Sequence, residues 1–346
     1  MSLLRYATLG GDKFRDEYSL AFDGTNDYVE LSGTFNYNIH SISIWLKETT
    51  ASAQSTVFDH RDGNNDGINF YLTSGQPIYA VNNVDAHYTS AIDLNKWSHI
   101  VLTNDGSTST IYINGVSVQT ADTSGETINI SSSAVARFGR VITGNYFTGN
   151  LSEAAIYDKA LSASQVKTLY NGREPYNHKE GVASSNLKGW WRMGDGSIDK
   201  FNLVGDEVNA TLGSDLITDG GFDGDGSAWT VDNFSIGSGV ATTSTNGASI
   251  QQSLSISTGD MIKIVAEIKN YTSGSIRYYT GSGADVSRSF SSDGVHTHYL
   301  IANSTKVLFY SDNFNGSIDN VKVYKVNGNA GAMINMASDD FTGDTP

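Results

Sequence analysis

The stretch IYINGVSV (residues 111–118) carries the strongest local fold signal in this chain of 346 residues. Two short apolar runs flank the pair Asn114 and Gly115. Both of these residues tolerate the positive φ angles that a type I′ turn requires of its two central positions. The stretch therefore predicts a tight β-hairpin.

Two other elements follow from equally short patterns. In SISIWLK (residues 41–47), apolar side chains recur at every second position, which is the period of a half-buried strand. Near residues 162–171 the spacing changes, and Ser162 and Gln165 form the capping box that begins a helix. Asn171, followed by a glycine, supplies the left-handed ending. The sequence predicts one short helix among many strands.

The composition is that of an all-β protein with many tight turns. Glycine is frequent (36) and proline rare (3), and Ser, Thr, Asn and Asp separate the apolar runs. The absence of cysteine excludes disulfides and thiol chemistry. A formal net charge of -15 argues against duplex nucleic acid or an anionic membrane surface as a partner. No segment is apolar enough to predict insertion into a membrane.

The length of the chain predicts two domains, and the strand and turn patterns locate them. We expect two antiparallel β-sandwiches and one short helix. The predicted divisions are a lead-in at 1–16, a first sandwich at 17–172, a connector at 173–215, a second sandwich at 216–327 and a tail at 328–346.

Four motifs follow one another in the first predicted sandwich: SLAFDGTNDYVEL (19–31), SISIWLK (41–47), KWSHIVLTNDGSTSTIYINGVSV (96–118) and FTGNLSEAAIYDKALSASQVKTLYNG (147–172). In this order they closely resemble the laminin-G-like (concanavalin A-like) jelly roll. The resemblance covers most of residues 17–172 and implies a two-sheet sandwich. Lectins, adhesion modules and glycanases share this fold, so the resemblance alone does not decide the function.

The connector contains LKGWWRMGDG (187–196), which resembles the opening strand of a laminin-G-like repeat although it follows the domain here. Either residues 187–193 fold back to complete the first sandwich, or they are the remnant of a second repeat. We favour the fold-back, because Trp190 and Trp191 would each bury roughly 150–250 Å² of surface. An exposed connector would leave this surface in water.

Strands separated by turn residues recur in the second predicted sandwich. Residues 261–270 place apolar side chains on one face and Lys and Glu on the other. The order of LITDGGFDGDGSAWTV (216–231), ASIQQSLSISTGDMIKIVAEIKN (248–270) and GSIDNVKVYKV (316–326) resembles the jelly-roll carbohydrate-binding modules of the galactose-binding-like group. This resemblance implies a sugar-binding unit.

The tail contains GAMINMASDDFTGDTP (331–346), which has little apolar content and is expected to be flexible or docked on a partner. This segment resembles the C-termini of virion structural proteins of marine tailed phages, as do LKGWWRMGDG and LITDGGF. The N-terminal residues lack an apolar stretch long enough to predict a signal peptide. We therefore expect synthesis in the host cytoplasm and a place on the virion surface, with a secreted, extracellular protein as the alternative.

Residues that could support catalysis are not grouped in the sequence. A glycanase on a concanavalin A-like fold needs two or three carboxylates at strand spacing, and no such run is present. Glu153 and Asp158 flank an apolar trio and are expected at sheet edges. His296 and His298 share a strand face without acidic neighbours in sequence, which favours ordinary sheet residues over a metal site. We predict that the protein is not an enzyme.

Calcium is the cofactor that the resemblances suggest. In jelly-roll carbohydrate-binding modules a structural Ca²⁺ links the two ends of the domain, and the resemblance implies Asp223 and Asp319 as its ligands here. Asp23 and Asp27 are the corresponding candidates in the first sandwich. The family's usual later Asp is Ser152 in this chain.

A glycan-binding surface needs aromatic faces for sugar C–H groups and planar polar groups for hydroxyls. The candidates are Asn82, Asn83, Asp85, His87 and Tyr88 in the first sandwich, and Arg277, Tyr279 and Tyr310 in the second. The chain has 18 tyrosines, so groupings of this kind also arise by chance, and sheet packing is the alternative explanation.

The sequence thus favours a non-enzymatic surface protein of a phage virion, as a decoration, fibre or tail component. Its expected partners are host-surface glycans, other virion proteins and further copies of itself as a homo-oligomer. Nucleic acid binding and membrane insertion are not expected. The alternatives are a purely structural capsid or tail protein and a secreted bacterial carbohydrate-binding adhesin.

Overall fold

The computed structural model describes residues 14, 16–33, 35–131, 134–142, 144–196, 199, 203–208, 211–279 and 289–346, apart from the side chains of Tyr279 and Ser338. The fold is all-β with antiparallel sheets, as predicted, and α1 (Ala163–Tyr170) is the one α-helix of these residues. No helix within these ranges is long and apolar enough to cross a membrane.

The first twelve strands are β1 (Ser19–Asp23), β2 (Tyr28–Leu31), β3 (His40–Glu48), β4 (Ser55–Arg61), β5 (Gly67–Thr73), β6 (Gln76–Val81), β7 (Val84–His87), β8 (Ser98–Asn104), β9 (Thr108–Ile113), β10 (Val116–Asp122), β11 (Arg137–Phe138) and β12 (Thr148–Tyr157). After α1 come β13 (Leu187–Trp191) and β14 (Leu203–Val204). A second unit contains β15 (Thr211–Asp215), β16 (Thr230–Asp232), β17 (Ser235–Gly237), β18 (Val240–Thr243), β19 (Ser249–Ser253), β20 (Met261–Tyr279), β21 (Ser289–Phe290), β22 (Gly294–Ile301) and β23 (Lys306–Asn327). The last strands are β24 (Gly331–Ile334) and β25 (Phe341–Thr342).

Two sheets form the first sandwich. One has the order β10-β9-β8-β3-β12-β1-β25, with β13 beside β12, and the other has the order β14-β24-β2-β11-β4-β5-β6-β7. Their facing sides enclose one core, in which Ile44, Phe70 and Phe138 are completely buried. The alternating pattern of residues 41–47 predicted this inward face of β3.

The predicted hairpin and helix are both present. Asn114 and Gly115 join β9 to β10 with φ angles of 52° and 80°. The hydroxyl of Ser162 accepts a hydrogen bond from the backbone N–H of Gln165, and the side-chain oxygen of Gln165 accepts one from the N–H of Ser162. Asn171 ends α1 in the left-handed conformation.

The strand β13 pairs with β12, so residues 187–191 extend the first sheet and are not an exposed connector. Trp191 is fully buried in the sandwich core, with T-shaped contacts to Phe35 and Phe138 at centroid distances of 5.5 Å each. Trp190 is buried on the opposite face, in a cluster that includes residues of α1. Burial of both indoles is the driving force that favours this pairing.

The C-terminal residues dock on the first sandwich, in contrast to the expectation of a flexible or partner-docked tail. β24 pairs with β2 and β14, and β25 pairs with β1. The physical reason is that Ala332, Met333 and Met336 are buried, so these apolar residues of the segment contribute to a core. Because β14 and β24 are sheet neighbours, the second unit is inserted within the first sandwich.

The second unit is built around β20 and β23, which pair along most of their length. Its core contains Trp229, Ile264 and Phe309. A smaller cluster joins the two units and consists of Leu203, Met261, Tyr299, Val326, Ala330 and Ala332.

Candidate functional site

A cleft of about 740 Å³ lies where the loop after β7 meets the β9–β10 turn and the end of α1. Its aromatic lining consists of Trp45, Tyr88, Trp97 and Tyr170. Its polar lining includes Asp93, Lys96, Asn114 and Arg173.

Stacked rings form one wall of the cleft. Trp45 lies on β3 between core residues, and its side chain therefore points to the outer face of the first sheet. The ring centroids of Trp45 and Tyr170 are 6.0 Å apart with an interplanar angle of 28°. His99 lies beside them, 5.0 Å from Trp45.

The β9–β10 turn holds this wall in place. A Cβ atom on Gly115 would lie 3.2 Å from Cδ1 of Tyr170, so a larger residue would press on the ring. The side-chain oxygen of Asn114 accepts a hydrogen bond from the backbone N–H of His99 at 2.9 Å. Burial lowers the pKa of His99 to about 3, so the imidazole beside the wall is neutral near pH 7. The turn that decides the local fold therefore also shapes the cleft.

Charged and polar side chains border the rings. Asp93 and Lys96 form an exposed ion pair at 2.8 Å. Nε of Arg173 donates a hydrogen bond to the hydroxyl of Tyr170 at 3.3 Å. Aromatic faces can pack against the C–H patches of a sugar while such polar groups bind its hydroxyls.

Of the five glycan-binding candidates in the first sandwich, Tyr88 lines this cleft. Asn82 and Asn83 instead form the turn between β6 and β7, with φ angles of 47° and 65°. The side chain of Asn82 accepts a hydrogen bond from the N–H of Gly67 at 2.8 Å and donates one to the carbonyl of Thr127 at 3.0 Å. These contacts give Asn82 a structural role in the loop.

Asp85 and His87 interact with neighbouring strands of the second sheet. Burial raises the pKa of Asp85, and a hydrogen bond from Tyr71 partly opposes this effect. Nε2 of His87 lies 3.1 Å from the side-chain oxygen of Gln76. Neither residue is part of the cleft lining.

In the second unit, Arg277 on β20 lies opposite Tyr310 on β23. Arg277 also forms an ion pair with Asp312. The backbone of Tyr279 pairs with Leu308, while its side chain lies outside the described residues. Two of the three predicted residues are therefore neighbours, and glycan binding at this position stays a prediction.

The calcium candidates of the second unit, Asp223 and Asp319, contact different partners, and calcium binding at them stays a prediction. Asp319 forms an ion pair with Lys269 at 2.6 Å, so a cation of the protein already neutralises its carboxylate. Asp223 lies next to Gly221 and Gly239 in a separate turn. Throughout the described part of the chain, no three His, Cys, Asp or Glu side chains are grouped as a metal site would need.

Asp23 and Asp27 lie at the two ends of the β1–β2 turn. A carboxylate oxygen of Asp27 accepts a hydrogen bond from the backbone N–H of Asp23 at 3.0 Å. Burial, together with the charges of Asp23 and Asp340, raises the pKa of Asp27 to about 6. Calcium binding at these two residues stays a prediction.

An acidic cluster that the sequence did not indicate lies around β12. Glu153 is completely buried at a bulge of β12, with a φ angle of 50°, and is not at a sheet edge as expected. Its carboxylate accepts hydrogen bonds from Nε1 of Trp190 at 2.6 Å and from Nε of Arg192 at 2.9 Å. Asp16 and Asp195 adjoin this group. Because Glu153 is closed off from solvent, it is not placed to act on a glycan.

Trp45, Trp97 and Tyr170 were not among the functional residues predicted from the sequence. A signal for Trp45 was present, since in residues 41–47 it falls on the face opposite the core isoleucines. Trp97 and Tyr170 had no comparable local signal. They reach Trp45 through the pairing of β3 with β8 and the docking of α1.

Residues 23–167 match the family model described as the concanavalin A-like lectin/glucanases superfamily (Laminin_G_3). No curated protein matches the chain. Among solved structures, a protein from Bacteroides ovatus is similar over 56% of this chain and 56% of its own length, with 16% identity and a TM-score of 0.47. The present chain thus spans little more than half of that protein.

Two further solved structures are similar to this chain. One is the heptameric SAP-like pentraxin of Limulus polyphemus, with 18% identity over 45% of this chain and 82% of that chain and a TM-score of 0.40. The other is the CBM40 of the Ruminococcus gnavus IT-sialidase bound to alpha2,3 sialyllactose, with 17% identity over 44% of this chain and 95% of that chain and a TM-score of 0.37. The family match over these residues and the two-sheet topology show that the first sandwich has a concanavalin A-like jelly-roll fold.

Proposed function

We propose that this protein binds glycans without catalysis, through the cleft on the first sandwich. The observation that carries the proposal is the convergence of Trp45, Tyr88, Trp97 and Tyr170 on one cleft with a polar border. The half-buried rings of Tyr88, Trp97 and Tyr170 offer apolar faces to a sugar, the buried Trp45 stacks against Tyr170, and the bordering groups supply hydrogen bonds. Lectins are among the proteins that use this fold.

A glycan array followed by titration of the best glycan tests the proposal. We expect Trp97→Ala and Tyr88→Ala each to weaken binding by about ten-fold or more, from a monovalent dissociation constant near the millimolar range. Tyr324→Ala, which removes a half-buried tyrosine of the second unit, is the matched control and should bind like the wild type. Cleft variants with unchanged affinity would show that the glycan binds elsewhere.

The proposed absence of catalysis is supported by the burial of Glu153 in the acidic cluster. Glu153 is fully buried, and Asp16 beside it is tied to β12 through the hydroxyl of Ser152 at 3.1 Å. A glycanase needs carboxylates that reach the scissile bond. Incubation with each polysaccharide that binds should therefore release no reducing ends, and cleavage that persists after repurification would contradict the proposal.

For the biological setting we propose the surface of a phage virion. A secreted bacterial adhesin is an equally compatible alternative, and a purely structural virion protein is a second alternative. Weak single sites become effective on an oligomer, because linked sites raise the local concentration. Mass spectrometry of purified particles and of the culture medium distinguishes these settings. Tighter cell binding by assembled particles than by the monomer would support the multivalent, homo-oligomeric form.

Calcium at Asp23 and Asp27 is a further proposal, supported by the position of the two carboxylates at the ends of the β1–β2 turn. Carboxylate oxygens are the ligands that Ca²⁺ prefers. We expect calcium to raise the melting temperature of the wild type and to leave that of Asp27→Asn unchanged. Identical melting with calcium and with chelator would exclude the site.

A further inference from the structure

The segment at 341–346 runs from the edge of the first sheet to the cleft. β25 pairs with β1, which places Thr342 opposite Ser19. The hydroxyl of Ser19 also donates a hydrogen bond to the backbone oxygen of Asp344 at 2.5 Å. Pro346 then forms part of the cleft lining. The segment is therefore held in the chain's own sandwich at the border of the cleft.

Asp344 is the residue of this segment that contacts the aromatic lining. Its carboxylate accepts a hydrogen bond from Nε1 of Trp97 at 3.0 Å and forms an ion pair with Lys47. The ammonium group of Lys47 lies over the Trp97 ring, 5.8 Å from its centroid. The side chain of Lys47 is only 12% exposed, so its charge is held close to the sheet. The indole is thus held at its N–H edge by Asp344 and on one face by Lys47.

A ring held in this way is suited to sugar binding. Immobilising a free side chain when a ligand binds costs conformational entropy, and a ring that is already fixed avoids this cost. Trp97 directly precedes β8 and is only half-buried, so packing constrains its ring less than it constrains a core residue. Its hydrogen bond to Asp344 supplies a further constraint.

We propose that Asp344 is a positioning residue that fixes the indole of Trp97 as a wall of the cleft, so that the site is assembled from segments 247 residues apart in the chain. This inference rests on the proposed glycan-binding function. It assigns to residues 341–346 a place in the binding site of their own chain.

Two substitutions separate the contributions of Asp344. Asp344→Ala removes the acceptor and the ion pair, whereas Asp344→Asn keeps an acceptor for the indole N–H. Asp339→Ala is the control, because Asp339 is an exposed acidic residue a few positions earlier. The ¹⁵N–¹H signal of the Trp97 indole, assigned with Trp97→Phe, reports the hydrogen bond without any sugar. Titration with the best glycan from the array reports binding.

We expect Asp344→Ala to shift the Trp97 indole signal and to weaken glycan binding by about five-fold or more. Asp344→Asn should restore most of the signal and most of the affinity, and Asp339→Ala should change neither. An unshifted signal in Asp344→Ala overturns the inference, and so does a shifted signal with unchanged affinity. A wild type that binds no glycan contradicts the proposed function, and a signal that shifts in Asp344→Ala and returns in Asp344→Asn then still supports the positioning of Trp97.

Discussion

Asp16 illustrates how a single residue depends on its surroundings. The hydroxyl of Ser152 donates to its carboxylate, and Glu153 and Asp195 lie beside it with Arg192 as the cation of the group. Burial, reinforced by a hydrogen bond and the charge of Asp195, raises the pKa of Asp16 to about 7. The folded protein therefore retains a proton here at pH values where the unfolded chain has released it.

The first prediction concerns the pH dependence of stability. Because the folded pKa lies above the ordinary value of 3.8, the free energy of unfolding contributed by Asp16 is complete below pH 3.8 and declines as the pH rises to about 7. Asp16→Asn mimics the protonated form. Its free energy of unfolding should therefore decline over this pH range by about 1–3 kcal/mol less than that of the wild type. Urea unfolding of both proteins at about pH 5 and about pH 8 measures the difference. Parallel pH profiles would show that Asp16 ionises freely in the folded state.

At the scale of elements, β12 and β13 show how buried aromatic residues stabilise a pairing. Trp191 is fully buried against Phe35 and Phe138, and its Nε1 donates a hydrogen bond to the carbonyl of Asn329 at 2.8 Å. The same side chain therefore joins β13 to the chain segment that precedes β24. Its loss would open a cavity at the junction of three segments.

We accordingly expect Trp191→Ala to lower the free energy of unfolding by about 3–5 kcal/mol. Trp97→Ala is the matched control in the same sandwich, because Trp97 is half-buried at the cleft. Trp97→Ala should weaken glycan binding with little change in melting temperature, whereas Trp191→Ala should lower the melting temperature with a smaller effect on glycan binding. Equal melting temperatures for the two variants would contradict the role assigned to β13.

The β9–β10 turn allows a second test at this scale. Gly115 and Gly125 both have positive φ angles, of 80° and 92°, but only Gly115 lies against Tyr170, since a Cβ on Gly125 would meet nothing within 4 Å. Each Gly→Ala variant should lose about 1–2 kcal/mol of stability, because alanine is disfavoured in the left-handed backbone conformation. Gly115→Ala should additionally displace Tyr170 and weaken glycan binding. Equal glycan affinities for the two variants would contradict the role assigned to Gly115 in positioning Tyr170.

At the scale of the whole molecule, the second unit is inserted into the first sandwich. Val204 of β14 pairs with Gly331 of β24, so the two ends of the insertion are neighbours in one sheet. We expect replacement of residues 211–327 by a short linker to leave a folded first sandwich that binds glycan. Its melting temperature should fall, because the cluster formed with Met261 and Tyr299 is lost.

Deletion of residues 328–346 is the contrasting variant. It removes β24 and β25 and the core residue Met333, so it should destabilise the first sandwich far more than loss of the second unit does. Circular dichroism melting of both truncated proteins measures the difference. A tail deletion that melts like the full chain would contradict the insertion and favour two domains that follow one another along the chain.

The sequence by itself determined the all-β class, the β9–β10 hairpin, the limits of α1 and the inward face of β3. Its four ordered motifs also predicted the jelly-roll fold of the first sandwich. These features depend on interactions between residues only a few positions apart. Asn114 and Gly115, for example, permit a tight turn whatever lies around them.

Only the tertiary structure decided the burial of Glu153, the docking of residues 328–346 and the convergence of Trp45, Trp97 and Tyr170. Each depends on contacts between segments far apart in the chain, such as the 247 residues between Trp97 and Asp344. Local patterns record which face of a strand is apolar, but they do not record which strand will become its neighbour. That choice follows from the total apolar surface that all strands bury together.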